Sequence, residues 1–212
     1  DFEIANELYR ISRGGGVLVW IVNDATINSE TTSFKQALYF KEIGFNLHDT
    51  MIWQKCNFSN PSNNRYHQIF EYMFIFSKGK PKTFNPIKDR ENIYAGKTTF
   101  INTTREKNEM KEHKKNIIDK YMRFNVWKNT SQENMCKHIE HPATFPLRLV
   151  RDHIMSWSNE DLVLDPFVST TCVAAKQLKR DYIIDISQTY IDIANRRLME
   201  SKIADKGCSQ GA

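Results

Sequence analysis

The stretch from Leu162 to Asp185 constrains the fold of this chain more than any other. An apolar run, Leu162-Val163-Leu164, ends in an acid, Asp165, and a small-residue turn follows at Ser169-Thr170-Thr171. A helix-like segment, Cys172–Lys179, leads to a second apolar run that ends in a second acid, Asp185, 20 residues after the first. This layout predicts a strand–turn–helix–strand unit with a carboxylate at the C-terminal end of each strand. Open α/β sheets bind nucleoside-containing ligands in the crevice beyond those ends, and an acid on the second strand typically holds ribose hydroxyls. A ligand-free βαβ unit has the same outline, so the stretch alone leaves both readings open.

At 212 residues, one α/β domain with an insertion fits better than two full domains. A mean hydropathy of −0.57 and the lack of a long apolar run argue against a membrane span. The sequence starts at Asp1 without a methionine or a charged-then-apolar leader, so it reads as a fragment. Its four cysteines, Cys56, Cys136, Cys172 and Cys208, follow no paired spacing, which suits a reducing cytoplasm. The group Cys136, His138 and His141 hints at a metal site, but a fourth ligand at usable spacing is absent and no metal is expected.

Charge is unevenly spread. Residues 80–128 hold 13 Lys and Arg against 6 Asp and Glu, a net of +7; the remainder holds 17 against 19, a net of −2. Localised positive charge is the footprint of a polyanion-binding surface, although a solvated lysine-rich face has the same composition.

Apolar spacing predicts a helix over Phe2–Ser12, stopped by Arg13-Gly14-Gly15-Gly16. Val17–Val22 is a continuous apolar run, the mark of a strand covered on both faces, and it ends in Asn23-Asp24. A second helix over Ser33–Ile43 closes at Gly44. Leu47–Trp53 and Ile69–Phe76 read as strands joined by a polar loop, Lys55–Gln68, and should pair antiparallel because no helix separates them. Between Lys80 and Asn129 the pattern dissolves into basic sequence, with little regular structure expected beyond a helix around Glu109–Tyr121. Helices are expected again over Phe145–Trp157 and Gln188–Glu200, on either side of the strand–helix–strand unit.

Three segments taken together, His141-Pro142-Ala143-Thr144-Phe145-Pro146, Leu164-Asp165-Pro166-Phe167 and Asp181-Tyr182-Ile183-Ile184-Asp185, closely resemble the DNA amino-methyltransferases. These bacterial and phage enzymes methylate adenine N6 or cytosine N4 with S-adenosylmethionine, and this order of motifs is similar to their permuted arrangement. The resemblance covers nearly the whole chain. It implies a doubly wound, Rossmann-like α/β sheet, mostly parallel with an antiparallel edge strand, plus an inserted basic target-recognition region. Residues 1–79 would form the catalytic half, 80–130 the insertion and 131–212 the cofactor-binding half.

By the same resemblance, Asp165 would meet the methionine end of the cofactor and Asp185 its ribose hydroxyls. Phe167 would pack beside it, Ser169, Thr170 and Thr171 would line the turn, and His141, Pro142 and Phe145 would shape the other wall. Simple core packing for the two phenylalanines and helix capping for His141 are the competing roles. The amino nitrogen of a base is a poor nucleophile, so catalysis amounts to aligning nitrogen, methyl and sulfur while acceptors draw on the amino hydrogens. The base must leave the duplex to reach the pocket. Lys55, Arg65, Tyr66 and His67 would hold the backbone or wedge the gap. Lys97, Arg105, Lys111, Lys114 and Lys115 would add phosphate contacts and major-groove reading. Double-stranded DNA is the implied partner, with a homodimer and a cognate restriction endonuclease as further ones and a cytoplasmic location.

Two departures from the family pattern stand out. The catalytic box of the family, an Asp, Ser or Asn before Pro-Pro and an aromatic, has no counterpart in this sequence and is expected upstream of Asp1. The glycines usual in the turn after Phe167 and before the second acid are missing, since Val168 runs into Ser169 and Ile183 into Ile184. If residues have dropped out, the chain should be stretched at those two junctions beyond the ~3.8 Å Cα spacing of a trans peptide; ordinary spacing at both favours impaired cofactor binding. The competing functions are a catalytically inactive DNA-binding protein with this fold, or methylation of RNA or a small molecule; the basic insertion disfavours the small molecule.

Overall fold

In the computed structural model, the described residues are 2–24, 31–58, 61, 63–102, 112–128, 145–167, 170–184 and 192. In chain order they form α1 (Phe2–Ile11), β1 (Val17–Val22), α2 (Thr32–Glu42), β2 (Asn46–Gln54) and β3 (Phe70–Ser77). Then come β4 (Arg90–Glu91), β5 (Thr98–Asn102), β6 (Glu112–Asn116), β7 (Lys120–Tyr121) and β8 (Val126–Lys128). The last elements are α3 (Leu147–Trp157), β9 (Val163–Asp165), α4 (Thr171–Gln177) and β10 (Tyr182–Ile184). The chain divides into two units, Pro86–Phe124 and the rest. Among the described residues no helix is long and apolar enough to cross a membrane.

In the larger unit a four-stranded sheet runs β1-β3-β2-β8. Alternation along the strands assigns their side chains to two faces. Leu18, Trp20 and Val22 lie opposite Phe76, Phe74 and Tyr72 and pack on one side with Ala5 and Leu8 of α1, Ala37 and Phe40 of α2, and Phe45. Phe76 is fully buried there, stacked on Phe40 at 4.9 Å and tilted against Phe74 at 6.0 Å. On the other face α3 covers the sheet. His153 Nε2 lies 3.2 Å from Met73 Sδ, and the His153 ring stacks on Trp127 of β8 at 4.5 Å. Beside it, β9 and β10 pair in parallel and are linked by α4, as the sequence spacing predicts. Val150 and Ile154 of α3 pack on Ala174 and Ala175 of α4, with Val163 and Tyr182 alongside. Burial pushes the Tyr182 phenol above its usual pKa, with the neighbouring Cys172 adding to the shift.

The helix-to-strand turn after α2 depends on one glycine. Phe45 N–H donates to Phe40 O at 3.0 Å and Gly44 N–H to Lys41 O at 3.1 Å, with Gly44 at φ +113°. A Cβ there would sit 2.8 Å from the Tyr9 hydroxyl oxygen and 2.9 Å from its ring carbon. Gly44→Ala is therefore expected to destabilise the fold by about 1–3 kcal/mol. Urea unfolding checks it, as a lower midpoint at unchanged slope.

Several sequence expectations are corrected. Among the described residues β3 is an internal strand, antiparallel to both β1 and β2, rather than the antiparallel edge of a mostly parallel sheet. The β2–β3 connection, Lys55–Ile69, folds β3 back antiparallel to β2, and the crossover through α2 leaves the slot that β3 fills. β1 is half-buried along its whole length rather than covered on both faces, because it lies at an edge of the described sheet.

The helix expected around Glu109–Tyr121 is replaced by β6 and β7; residues 109–111 lie outside the described part. Glu112-His113-Lys114-Lys115-Asn116 carries no apolar stripe at helical spacing, and the β-branched and aromatic run Thr98-Thr99-Phe100-Ile101 offers it an antiparallel partner. The region expected to hold little regular structure thus carries β4 to β7, and Val126–Lys128 joins the main sheet parallel to β2. The helix expected over Gln188–Glu200 falls outside the described residues except for Asp192.

Within Pro86–Phe124, β4 and β7 form a small antiparallel ribbon with Arg90 opposite Tyr121 and Glu91 opposite Lys120. Asn92 N–H donates to Asp119 O and Arg123 N–H to Ile87 O, both at 2.9 Å, clamping its two ends. The Arg123 guanidinium grips Asp89 through Nε (2.9 Å and 3.1 Å) and Nη2.

Candidate active site

Asp165 is the last residue of β9, and its Oδ1 accepts the Phe167 N–H at 3.0 Å, so the carboxylate itself shapes the turn. The chain then enters α4. Thr170, at the helix N-cap, makes no capping bond; its hydroxyl instead donates to the Phe145 carbonyl at 2.7 Å. That bond ties the turn after β9 to the start of α3. In register, Asp165 stands opposite Ile184, the residue before Asp185.

Aromatic rings surround these residues. Phe167, 52% exposed, lies edge-on to Trp20 of β1 at 6.3 Å. Trp20 is held in turn by its Nε1–H bond to Gln36 Oε1 (2.8 Å) and by Phe40 at 5.0 Å. Phe145 meets Trp53, near the end of β2, edge-on at 5.9 Å. Trp53 is buried, yet among the described residues its indole N–H has no hydrogen-bond acceptor. An unmet buried donor of this kind is costly unless a ligand supplies the acceptor.

The polar loop after β2 is closed by Lys55 N–H donating to Ile69 O at 2.6 Å and by Gln68 Nε2 donating to Asn23 Oδ1 at 2.7 Å. Lys55 pairs with Glu71 and lies 5.1 Å from the Trp53 ring, so its charge is met inside the protein. His67 stacks on Phe58 at 4.0 Å, while Arg65 is exposed and Tyr66 fully so. In the smaller unit, Lys97 Nζ lies 5.5 Å from the Tyr94 ring, and Lys114 and Lys115 fall on β6.

The structure thus brings together Asp165, Phe167, Thr170 and Phe145 of the residues singled out from sequence, with Thr171 opening α4. His141, Pro142, Ser169, Asp185, Arg105 and Lys111 lie outside the described residues, as do Cys136 and His138. Among the described residues no group of three or more His, Cys, Asp or Glu could hold a metal ion. At the junction where a glycine is missing, β10 passes through Ile183 and Ile184 in unbroken register with Leu164 and Asp165, so the expected stretching is not found there. The Val168–Ser169 junction is outside the described part. Sequence reasoning missed Trp20, Trp53 and Glu71; their one signal was a place near a strand end, which core residues share.

A mixed sheet with helices on both faces, and an acid-Pro-Phe turn leaving a parallel strand, define an α/β protein with a ligand crevice beyond its strand ends. Residues 2–196 match the N6/N4 DNA methylase family model, and the chain belongs to that family. It is 50% identical over 218 residues to the orphan methyltransferase M.BamHII of Bacillus amyloliquefaciens, covering 96% of this chain and 82% of that protein. It is 31% identical over 226 residues to the type II methyltransferase M.MjaI of Methanocaldococcus jannaschii, covering 97% and 67%. Among solved structures, it superposes on the M1.HpyAVI–SAM complex with a TM-score of 0.61 and 25% identity, covering 93% of this chain and 82% of that one. The PvuII cytosine-N4-specific DNA methyltransferase shares the fold, with a TM-score of 0.65, 19% identity and coverage of 95% and 72%. The chain is accordingly an S-adenosylmethionine-dependent DNA amino-methyltransferase, as its three motifs imply.

Proposed function

We propose that this chain methylates adenine N6 or cytosine N4 at specific sites in double-stranded DNA, with the cofactor held beyond the C-terminal ends of β9 and β10 of a doubly wound, Rossmann-like sheet. Residues 1–79 act as the catalytic half, 80–130 as the inserted target-recognition region and 131–212 as the cofactor half. The single observation that carries the reading is the turn in which Asp165 holds the Phe167 backbone while the Phe167 ring rests on Trp20.

The described residues fit S-adenosylmethionine. Asp165 offers a carboxylate to the cofactor's ammonium, Phe167 and Phe145 offer apolar walls, and the unmet indole N–H of Trp53 offers a donor. Asp185 is assigned the ribose hydroxyls, His141 and Pro142 the wall beside Phe145, and Ser169, Thr170 and Thr171 the turn. When bound, the cofactor supplies an electrophilic sulfonium methyl; the protein supplies alignment and exclusion of water. The exposed Arg65 and Tyr66, with His67 stacked on Phe58, suit contact with the duplex around an extruded base. Lys55 is left with the loop, because Glu71 already meets its charge. Pro86–Phe124 carries 10 Lys and Arg against 6 Asp and Glu, consistent with phosphate contacts from Lys97, Arg105, Lys111, Lys114 and Lys115. A bacterial or phage cytoplasm, a homodimer and a cognate restriction endonuclease complete the reading.

The test is calorimetry of the full-length protein with S-adenosylmethionine, followed by mass spectrometry of nucleosides from DNA incubated with both. Heat release together with N6-methyladenine or N4-methylcytosine is the expected result. A protein that binds duplex DNA but releases no heat with the cofactor would be a binding module, and methyl groups found only in RNA would reassign the substrate.

A further inference from the structure

We propose that Arg90 is a base-reading residue, its guanidinium set in advance to recognise the major-groove edge of a guanine in the substrate duplex. The inference rests on the reading of Pro86–Phe124 as the part that meets DNA, and it names the chemistry that this part recognises.

Three contacts fix the side chain. Arg90 lies opposite Tyr121 across the β4–β7 ribbon, and its guanidinium carbon sits 5.3 Å from the Tyr121 ring and 4.2 Å from the Phe124 ring. Its Nε–H donates to Met122 O at 3.1 Å. The two ring contacts and that one bond hold the guanidinium, while among the described residues no acceptor meets either terminal nitrogen. Arg123, the other arginine of the ribbon, differs in this respect, because Asp89 takes its fork. Asn92 is engaged too, donating to Ile118 O and accepting from Tyr94 N–H.

An always-charged planar fork whose two terminal nitrogens are free matches the paired acceptors O6 and N7 of guanine, the commonest specific contact in the major groove. A two-stranded ribbon is one of the shapes that groove admits. Because the guanidinium is already held at three contacts, little side-chain freedom is left to lose on binding. A purely structural arginine of this kind would have its fork occupied from within, as Arg123 has.

The experiment maps methylated positions on a plasmid carrying a randomised region, using full-length wild-type protein, Arg90→Lys and Arg90→Ala. Lysine keeps the charge but cannot present a bidentate fork. Arg90→Lys is expected to lose preference for guanine at one motif position by about 10- to 100-fold, with melting temperature and cofactor affinity unchanged. An unaltered motif, or an equal drop on every sequence, would overturn the inference and leave Arg90 a phosphate or structural residue. Should both variants fail to fold, the wild-type protein is assayed on duplexes carrying 7-deazaguanine, which lacks the N7 acceptor, at each motif guanine in turn. Slowing at one guanine supports the inference; indifference at all of them overturns it. A wild-type protein that methylates no DNA would overturn the proposed function, and this inference with it.

Discussion

Asp165→Ala in the full-length protein is expected to weaken S-adenosylmethionine binding by about 10- to 100-fold, the range of a hydrogen bond to a charged group. Two effects contribute. The alanine removes the carboxylate assigned to the cofactor's ammonium, and it removes the acceptor that holds the Phe167 N–H at 3.0 Å. Asp165→Asn separates them, because an amide oxygen can still accept that N–H while carrying no charge. If charge dominates, both variants lose affinity alike; if turn geometry dominates, asparagine retains most of it. Titration calorimetry of the three proteins decides, and a dissociation constant unchanged in both variants would remove Asp165 from the cofactor site.

The largest effect on stability is expected at Phe76. Its ring is fully buried between Phe40, Phe45 and Phe74, at the meeting of α2 with the sheet. Truncation to alanine leaves a cavity that this set of rings cannot easily close, and such changes cost about 3–5 kcal/mol. In a chain of this length each kcal/mol lowers the melting temperature by about 2–4 °C, so a fall of about 10 °C is expected for Phe76→Ala. Phe167→Ala is the control. Being 52% exposed, Phe167 contributes little to the core, so its loss should barely move the melting temperature but should weaken cofactor binding. Differential scanning calorimetry with and without S-adenosylmethionine distinguishes the two phenylalanines. Equal melting shifts would show that Phe167 is a core residue rather than a wall of the site.

The elements that could be read from sequence are those whose signal is local. Val17–Val22 is a strand because six apolar residues stand between glycines and Asn23-Asp24, and its observed bounds are the same. The acid-turn-helix-strand run from Leu162 folds as β9, α4 and β10 because its apolar runs are too short for anything else. What was not legible depends on partners distant in sequence. Nothing in Phe70–Ser77 says that it will lie between β1 and β2 rather than beside them. The segment Glu112–Asn116 has no strand signal of its own and becomes one only against Thr98–Asn102. At the site, Asp165 and Phe167 were legible because their motif is contiguous. Trp20, Trp53 and Arg90 were not, since an indole N–H that finds no acceptor among the described residues, or a guanidinium held over two rings, is a fact of three-dimensional assembly.

The seating of β3 between its neighbours also bears on how the protein is made. Val22 and Tyr72 are partners although they stand fifty positions apart, and among the described residues β1 pairs within the sheet with β3 alone. Until Phe70–Ser77 is in place, β1 and β2 present two open edges with a vacant lane between them. Open edges of this kind pair readily with other chains. The arrival of β3 closes both of those edges at once, and β8 then adds to the other side of β2.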